Sequence, residues 1–269
     1  MSIKGLYTAL SGAMAQNLKL ETTSNNLANV NTPGFKKDQQ VFREYLTAYE
    51  KSPQVIQVPK VEASIESFYD MQGGDKSYVD PIGTFTDFTQ GSLKQTGNSL
   101  DVAIEGEGFF EVITPKGLRL TRSGSFSVDG LGQLVTKDGY PILKKAEPGV
   151  PPEERILKLN RTLPLAISNN GELVQDNESI GKLSVIEVSN KNGLQKEGQS
   201  LYSFRPNQVT QINPMANPNL HQGAIETSNV NVVQEMTDMI AATRLFETTQ
   251  KALQAYDGIA DKIVNTVPK

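Results

Sequence analysis

Few residues of this chain have the type and spacing that chemistry needs. Its one histidine, His221, lies in a stretch rich in Asn, Pro and Gln, where an imidazole reads as a solvated loop residue rather than a general base. Glu153 and Glu154 stand beside Pro151 and Pro152, the setting of solvated loop carboxylates. A glycosidase needs only two carboxylates at a set separation, so a peptidoglycan hydrolase is kept as an alternative, although no pair here has a recognisable context. Gly106-Glu107-Gly108 is too short to cradle a phosphate and reads as a hairpin turn, and no P-loop or dinucleotide fingerprint occurs. The absence of Cys removes disulfide and thiolate chemistry. The expectation is a protein that is not an enzyme, with no catalytic residues, no cofactor and no metal.

Composition narrows the partners. A net charge of −4 without a basic run argues against nucleic acid. No apolar stretch approaches the roughly 20 residues that span a bilayer. The N-terminus lacks the basic start, apolar middle and small-residue cleavage site of a secretory signal, so no cleaved signal is expected. At 269 residues the chain can bury a real core and hold two or three compact units.

The elements that would carry function lie at the ends. From Ile3 a seam runs through Leu6, Leu10, Ala13, Asn17, Leu20, Ser24 and Leu27, with steps alternating three and four residues as in helices laid against helices. The rhythm returns at Val232, Met236, Met239, Thr243, Phe246, Gln250, Leu253, Asp257, Ala260, Val264 and Val267. Between Ser2 and Val30 the only charged residues are Lys4, Lys19 and Glu21. A helix solvated on its outer face normally shows charge there. Small neutral residues instead permit other backbones to approach on several sides. The expected subunit-interface residues are Ile3, Leu6, Leu10, Leu20 and Leu27 in the first helix. In the second they are Met236, Met239, Phe246, Leu253 and Val264. Asn231 and Gln234 suit a capping box at the start of that helix. The two helices would be roughly 40 and 50 Å long at 1.5 Å per residue.

The predicted fold class is α+β, with long terminal helices pairing as a coiled-coil-like arm around a central all-β domain. The expected layout is an N-terminal assembly helix over 1–35, an extended connecting arm over 36–97 and a β domain over 98–207. A return linker over 208–230 and a C-terminal assembly helix over 231–269 complete it. Pro33-Gly34 ends the first helix, and 35–49 reads as a short helix or an extended arm. Strands are expected near 100–104, 109–113, 118–121, 125–128, 133–136, 140–143, 163–168, 172–174 and 182–188, with a loop over 147–154. Turn signals every 8–12 residues suit a sandwich or barrel.

Four segments carry a family resemblance. Asn25-Asn26-Leu27-Ala28-Asn29-Val30-Asn31-Thr32-Pro33-Gly34-Phe35-Lys36 resembles the N-terminal signature of bacterial flagellar rod and hook proteins. Gln90-Gly91-Ser92-Leu93, Ser99 to Ile104 and Gly108-Phe109-Phe110 are similar to the entry of their β domain. Thr121 to Asp129 and Gly132 to Thr136 resemble its first hairpins. Gln222 to Val232, then Glu235 to Ile240, resembles the entry to the C-terminal helix. Residues 50–85 and 145–210 match less well.

The resemblance implies a structural subunit of the flagellar basal-body rod. It implies export by the flagellar type III apparatus without a cleaved signal, and polymerisation in the periplasm with copies of itself and other rod and hook subunits. Terminal helices would line the export channel, with β domains outside. Length, the lack of an extra outer domain, Glu235 to Ile240 and Arg244 to Glu247 favour the proximal-rod (FlgF-like) type over the distal-rod (FlgG-like) type. Phe42-Arg43-Glu44-Tyr45-Leu46, with Phe42 and Leu46 four apart, resembles the gate-recognition motif of early export substrates. The plain alternative is that Phe42 and Leu46 pack one helical face. A monomeric secreted adhesin or binding module would explain the β domain but not two projecting helices.

Overall fold

A computed structural model describes residues 3–46, 77–146, 149–198, 200–205 and 211–266. The chain divides into two compact units. Among the described residues, the first holds 3–25, 38–46, 77–85 and 233–266, and the second holds 26–37 and 86–232.

The first unit contains α1 (Ile3–Ala28) up to Asn25, β1 (Asp38–Leu46), β2 (Ser77–Thr86) and nearly all of α2 (Val232–Thr266). The helices have 26 and 35 residues, and no described helix is long and apolar enough to cross a membrane. α1 ends where Pro33 bars helix at Thr32; the amides of Asn29 and Thr32 turn back onto the carbonyls of Asn26 and Asn29. β1 and β2 pair as a two-stranded sheet. Residues 35–46 therefore continue as an arm through β1 rather than as a second helix. Residues 47–76 of the expected connecting arm, 47–49 among them, lie outside the described residues.

The second unit is the β domain. Its strands in order are β3 (Leu93–Gln95), β4 (Val102–Glu105), β5 (Phe109–Thr114), β6 (Gly117–Thr121), β7 (Phe126–Val128) and β8 (Leu134–Thr136). They continue as β9 (Ala166–Ile167), β10 (Glu172–Gln175), β11 (Glu178–Lys182), β12 (Val185–Val188), β13 (Leu194–Lys196) and β14 (Leu201–Phe204). The last three are β15 (Ile212–Pro214), β16 (Asn219–Gln222) and β17 (Ala224–Glu226). Six form one antiparallel sheet in the order β13-β14-β6-β5-β12-β15.

That sheet is apolar on both faces, because alternate residues of one strand point oppositely. Phe110, Val112 and Val185 join the main core with Val102, Leu134 and Leu220. Phe109, Ile186 and Val188 turn to a second cluster with Leu120, Leu194 and Tyr202. There the Phe88, Phe109 and Tyr202 rings meet within 5.8 Å of one another.

The stretch expected as a return linker, 208–230, instead supplies three strands. β15 pairs with β12, β16 with β4 and β17 with β3. Leu220 is fully buried. The strands are only three or four residues long, and Asn and Pro between them hide any alternation. Pro214 is tolerated because β15 is a sheet edge. Of the strand expected over 140–143, Pro141, Ile142 and Leu143 form isolated bridges instead, since Pro141 has no N–H to give a ladder. The loop over 147–154 contains a 3-10 turn at Pro152–Arg155.

Candidate assembly interface and a buried charge cluster

On α1, Leu10 and Met14 are exposed, Leu20 and Leu27 are half-buried, and Ile3 and Leu6 lie in the first turns. The most covered positions are Ala13, Ala15, Thr23 and Asn26. At about 100° per residue, Ala15 and Asn26 lie about 100–160° around the helix from Leu10, Leu20 and Leu27, and Thr23 lies between, within about 60° of Leu20 and Leu27. The adjoining Thr22 hydroxyl donates to Gln40 Oε1 of β1 at 3.2 Å. The helix is thus most covered at small residues, while Leu10 and Met14 stay open and Leu20 and Leu27 are half-buried.

α2 divides similarly. Glu235, Met239, Ala242, Phe246, Thr249 and Leu253 are buried or half-buried, a covered stripe stepping by four and three. Met236 (49% exposed), Ile240 (56%), Leu245 (53%) and Tyr256 (43%) are open beside it. Of the expected interface residues, Met239, Phe246 and Leu253 fall on the covered stripe, and Met236 falls outside it. Val264 lies in the final turn of α2.

Phe42 and Leu46 lie on β1, not on a helix. Their spacing of four is therefore a spacing along a strand, and Phe42 is exposed. The helical packing alternative is thereby corrected to a strand.

The candidate chemical residues do not gather. His221 sits on β16 rather than in a loop, its Nε2 2.7 Å from Glu105 Oε2, to which Asn219 also donates at 2.6 Å. Glu153 and Glu154 are exposed in the 3-10 turn. Among the described residues no group of three His, Asp or Glu could hold a metal.

What the β unit does gather is a set of buried charges. Lys36 and Glu226 are each 1% exposed, with Nζ to Oε1 at 2.5 Å, and Arg122 Nε reaches Glu226 Oε2 at 2.8 Å. The Gly91 amide donates to Glu226 Oε1 at 2.9 Å, and the Gly34 amide donates to the Glu226 carbonyl at 2.9 Å. Lys36 also donates to Thr89 O at 2.7 Å, and the Arg122 guanidinium donates to the carbonyls of Gly106 and Gly108. Burial pushes the Lys36 pKa below the usual lysine range, and the Glu226 carboxylate pulls it only part of the way back.

Gly34 must be glycine here: its φ is 71°, and a Cβ would lie 2.4 Å from the Ser123 amide. A Cβ on Gly91 would sit 2.0 Å from Thr227 O. Asn229 continues the network. Its Oδ1 accepts from the Lys37 amide at 2.7 Å, and its Nδ2 donates to Asp87 O at 2.9 Å. Each segment of the family resemblance contributes to this one place: Gly34 and Lys36, Gly91, Gly108, Arg122, then Glu226 and Asn229. The segments lie far apart in the chain, and nothing in their spacing shows that they meet. The available signal was Glu226, a lone charge in a run of Gly, Ala, Ser, Thr and Asn.

Comparison with known proteins agrees along the whole chain. Residues 6–36 match the family described as flagella basal body rod protein. Residues 103–175 match the flagellar hook protein FlgE/F/G D1 domain, and 221–266 match the flagellar basal body rod FlgEFG protein C-terminal family. The flagellar basal-body rod protein FlgG of Buchnera aphidicola subsp. Schizaphis graminum is 35% identical over 97% of this chain and 98% of its own length. FlgG of Bacillus subtilis is 31% identical over 98% of each chain. FlgF of Rhizobium meliloti is 32% identical over 98% of this chain and 97% of its own. With relatives aligned from end to end and family matches at both termini and the centre, the chain belongs to the flagellar basal-body rod proteins of the FlgF/FlgG type.

Proposed function

We propose that this protein is a rod subunit that polymerises through α1 and α2 with copies of itself and with other flagellar rod and hook subunits. The observation that carries the reading is end-to-end similarity to rod proteins together with helices whose apolar positions remain partly open. Leu10, Met14, Met236, Ile240, Leu245 and Tyr256 offer apolar area for a neighbour to cover. Pairing of α1 with α2 as a coiled-coil-like arm is part of this proposal. The matched families are structural, so the protein is not an enzyme, and the hydrolase reading is set aside.

The subunit would cross by the flagellar export apparatus, with Phe42 and Leu46 in the recognised segment, and assemble in the periplasmic part of the basal body. Within the rod we favour the proximal, FlgF-like position on the Glu235 to Ile240 and Arg244 to Glu247 segments, with the distal, FlgG-like position as the alternative. Cryo-electron microscopy of basal bodies from cells carrying a tagged copy tests both points. Density for the tag in the proximal rod is the expected result. Density only beyond it selects the distal position, and no density in the rod rejects the function.

A further inference from the structure

The chain passes between its two units at four places, after residues 25, 37, 85 and 232. Three of these lie within a few residues of the buried charge cluster, and the fourth, after residue 25, precedes the turn that leads to it. Lys37 and Asp87 bond directly, the Asp87 amide donating to Lys37 O at 2.8 Å, and Asn229 bridges the same two residues. Asn229 Nδ2 also reaches Thr89 Oγ1 at 3.0 Å, and Thr89 O accepts from Lys36. Behind them stand Glu226, holding Lys36 and Arg122, and the amides of Gly34 and Gly91. On the far side the Lys196 ammonium lies 4.0 Å over the Phe35 ring and donates to Lys36 O.

We propose that Lys36, Arg122, Glu226 and Asn229 form a latch that holds together the exits of the chain from the β unit, and that its role is positional rather than a requirement for folding the β core. The placement supports this. The cluster involves the segments next to the exits, whereas the main core of Val102, Phe110, Leu134, Leu173 and Leu220 is closed by apolar contacts of its own. Buried ion pairs add little net stability over apolar packing, and their best-attested use is to specify one arrangement. Two cations share one carboxylate here, so Glu226 is the member on which the others depend. A shaft made of such subunits needs the helices to leave every β unit in the same way; the consequence for assembly rests on the rod reading above.

The test uses the full-length protein and two variants. Glu226→Gln keeps the shape and an acceptor for Gly91 but removes the shared negative charge. Asn229→Ala cuts the bridge between Lys37 and Asp87 without touching a buried charge. Amide hydrogen exchange is read at Gly34, Lys37, Asp87 and Gly91, and at the core amides of Leu134, Ile142 and Leu143. The latch predicts that the first set exchanges at least tenfold faster relative to the second. For Asn229→Ala the effect should centre on Lys37 and Asp87. Equal acceleration of both sets, or no change in either, overturns it. If Glu226→Gln does not fold, Asn229→Ala alone decides. Incorporation of each variant into basal bodies is measured in parallel. Selective loosening with normal incorporation removes the positional role while leaving the rod assignment intact. Failure of the unaltered protein to incorporate removes the rod assignment and leaves the exchange result standing.

Discussion

Glu226 has two cations to satisfy and Lys36 has one anion, so the two are not equivalent. Removing the lysine leaves Arg122 and Glu226 as a balanced pair; neutralising the glutamate leaves two buried cations. Removing one member of a buried pair costs about 3–5 kcal/mol when the other charge must stay buried. Here the exits can loosen and admit water, so the losses fall below that range. Urea unfolding should nevertheless rank Glu226→Gln as more damaging than Lys36→Met, and the reverse order would contradict the shared-carboxylate geometry. The Lys36 pKa adds a signed test. It is lower in the folded chain than the ordinary lysine value of 10.5, so over the window below 10.5 the unfolded chain binds more protons. Stability from this group therefore rises with pH. The wild type should gain on Lys36→Met as pH approaches 10.5 in parallel unfolding curves. None of this could be read from spacing. Lys36, Arg122 and Glu226 are far apart in sequence, and only the fold puts them on one carboxylate.

The long helices and the hairpins with Gly turns were legible because their signals are local. The heptad steps foretold α1 and α2, and the runs from Val102 to Thr121 read as strands. Two classes of strand were missed for physical reasons. β11 follows β10 through Asp176-Asn177, both with positive φ, a two-residue hairpin turn of a kind that Asn and Asp tolerate. Its burial pattern is exposed to intermediate, so no apolar alternation marks it. β15 to β17 are short and gain their stability from partners about 25 to 130 residues away. Leu220→Ala distinguishes strand from linker: filling the core, it should cost about 2–5 kcal/mol in thermal unfolding, whereas a linker residue would cost almost nothing. For the same reason a fragment of 98–189 should not fold, since it lacks Leu201, Tyr202 and Leu220; circular dichroism of the fragment checks this. β1 carries its own prediction. Deleting residues 42–46 should stall secretion while the protein remains in the cell, and normal secretion would leave Phe42 and Leu46 as strand residues only.

At the scale of the whole molecule, the helices have two kinds of apolar position. Phe246 and Leu253 lie on the covered stripe of α2, so replacing them would weaken the single subunit and confuse folding with assembly. Met236 and Ile240 lie open on the same helix, four residues apart and on one face. Exposed substitutions away from caps and buried networks usually change stability by no more than about 0.5 kcal/mol. In a polymer the same two side chains would be covered in every subunit, and large apolar groups lost from a packed interface cost about 2–5 kcal/mol each. The double variant Met236→Ser with Ile240→Ser should therefore melt like the wild type as an isolated subunit. In cells it should be exported normally but fail to enter basal bodies, and motility should be lost. Melting that falls along with incorporation would place these residues in the subunit's own packing. Normal motility would mean that this side of α2 faces no neighbour, and the assembly surface would then have to be sought on the Leu10–Leu20–Leu27 seam of α1.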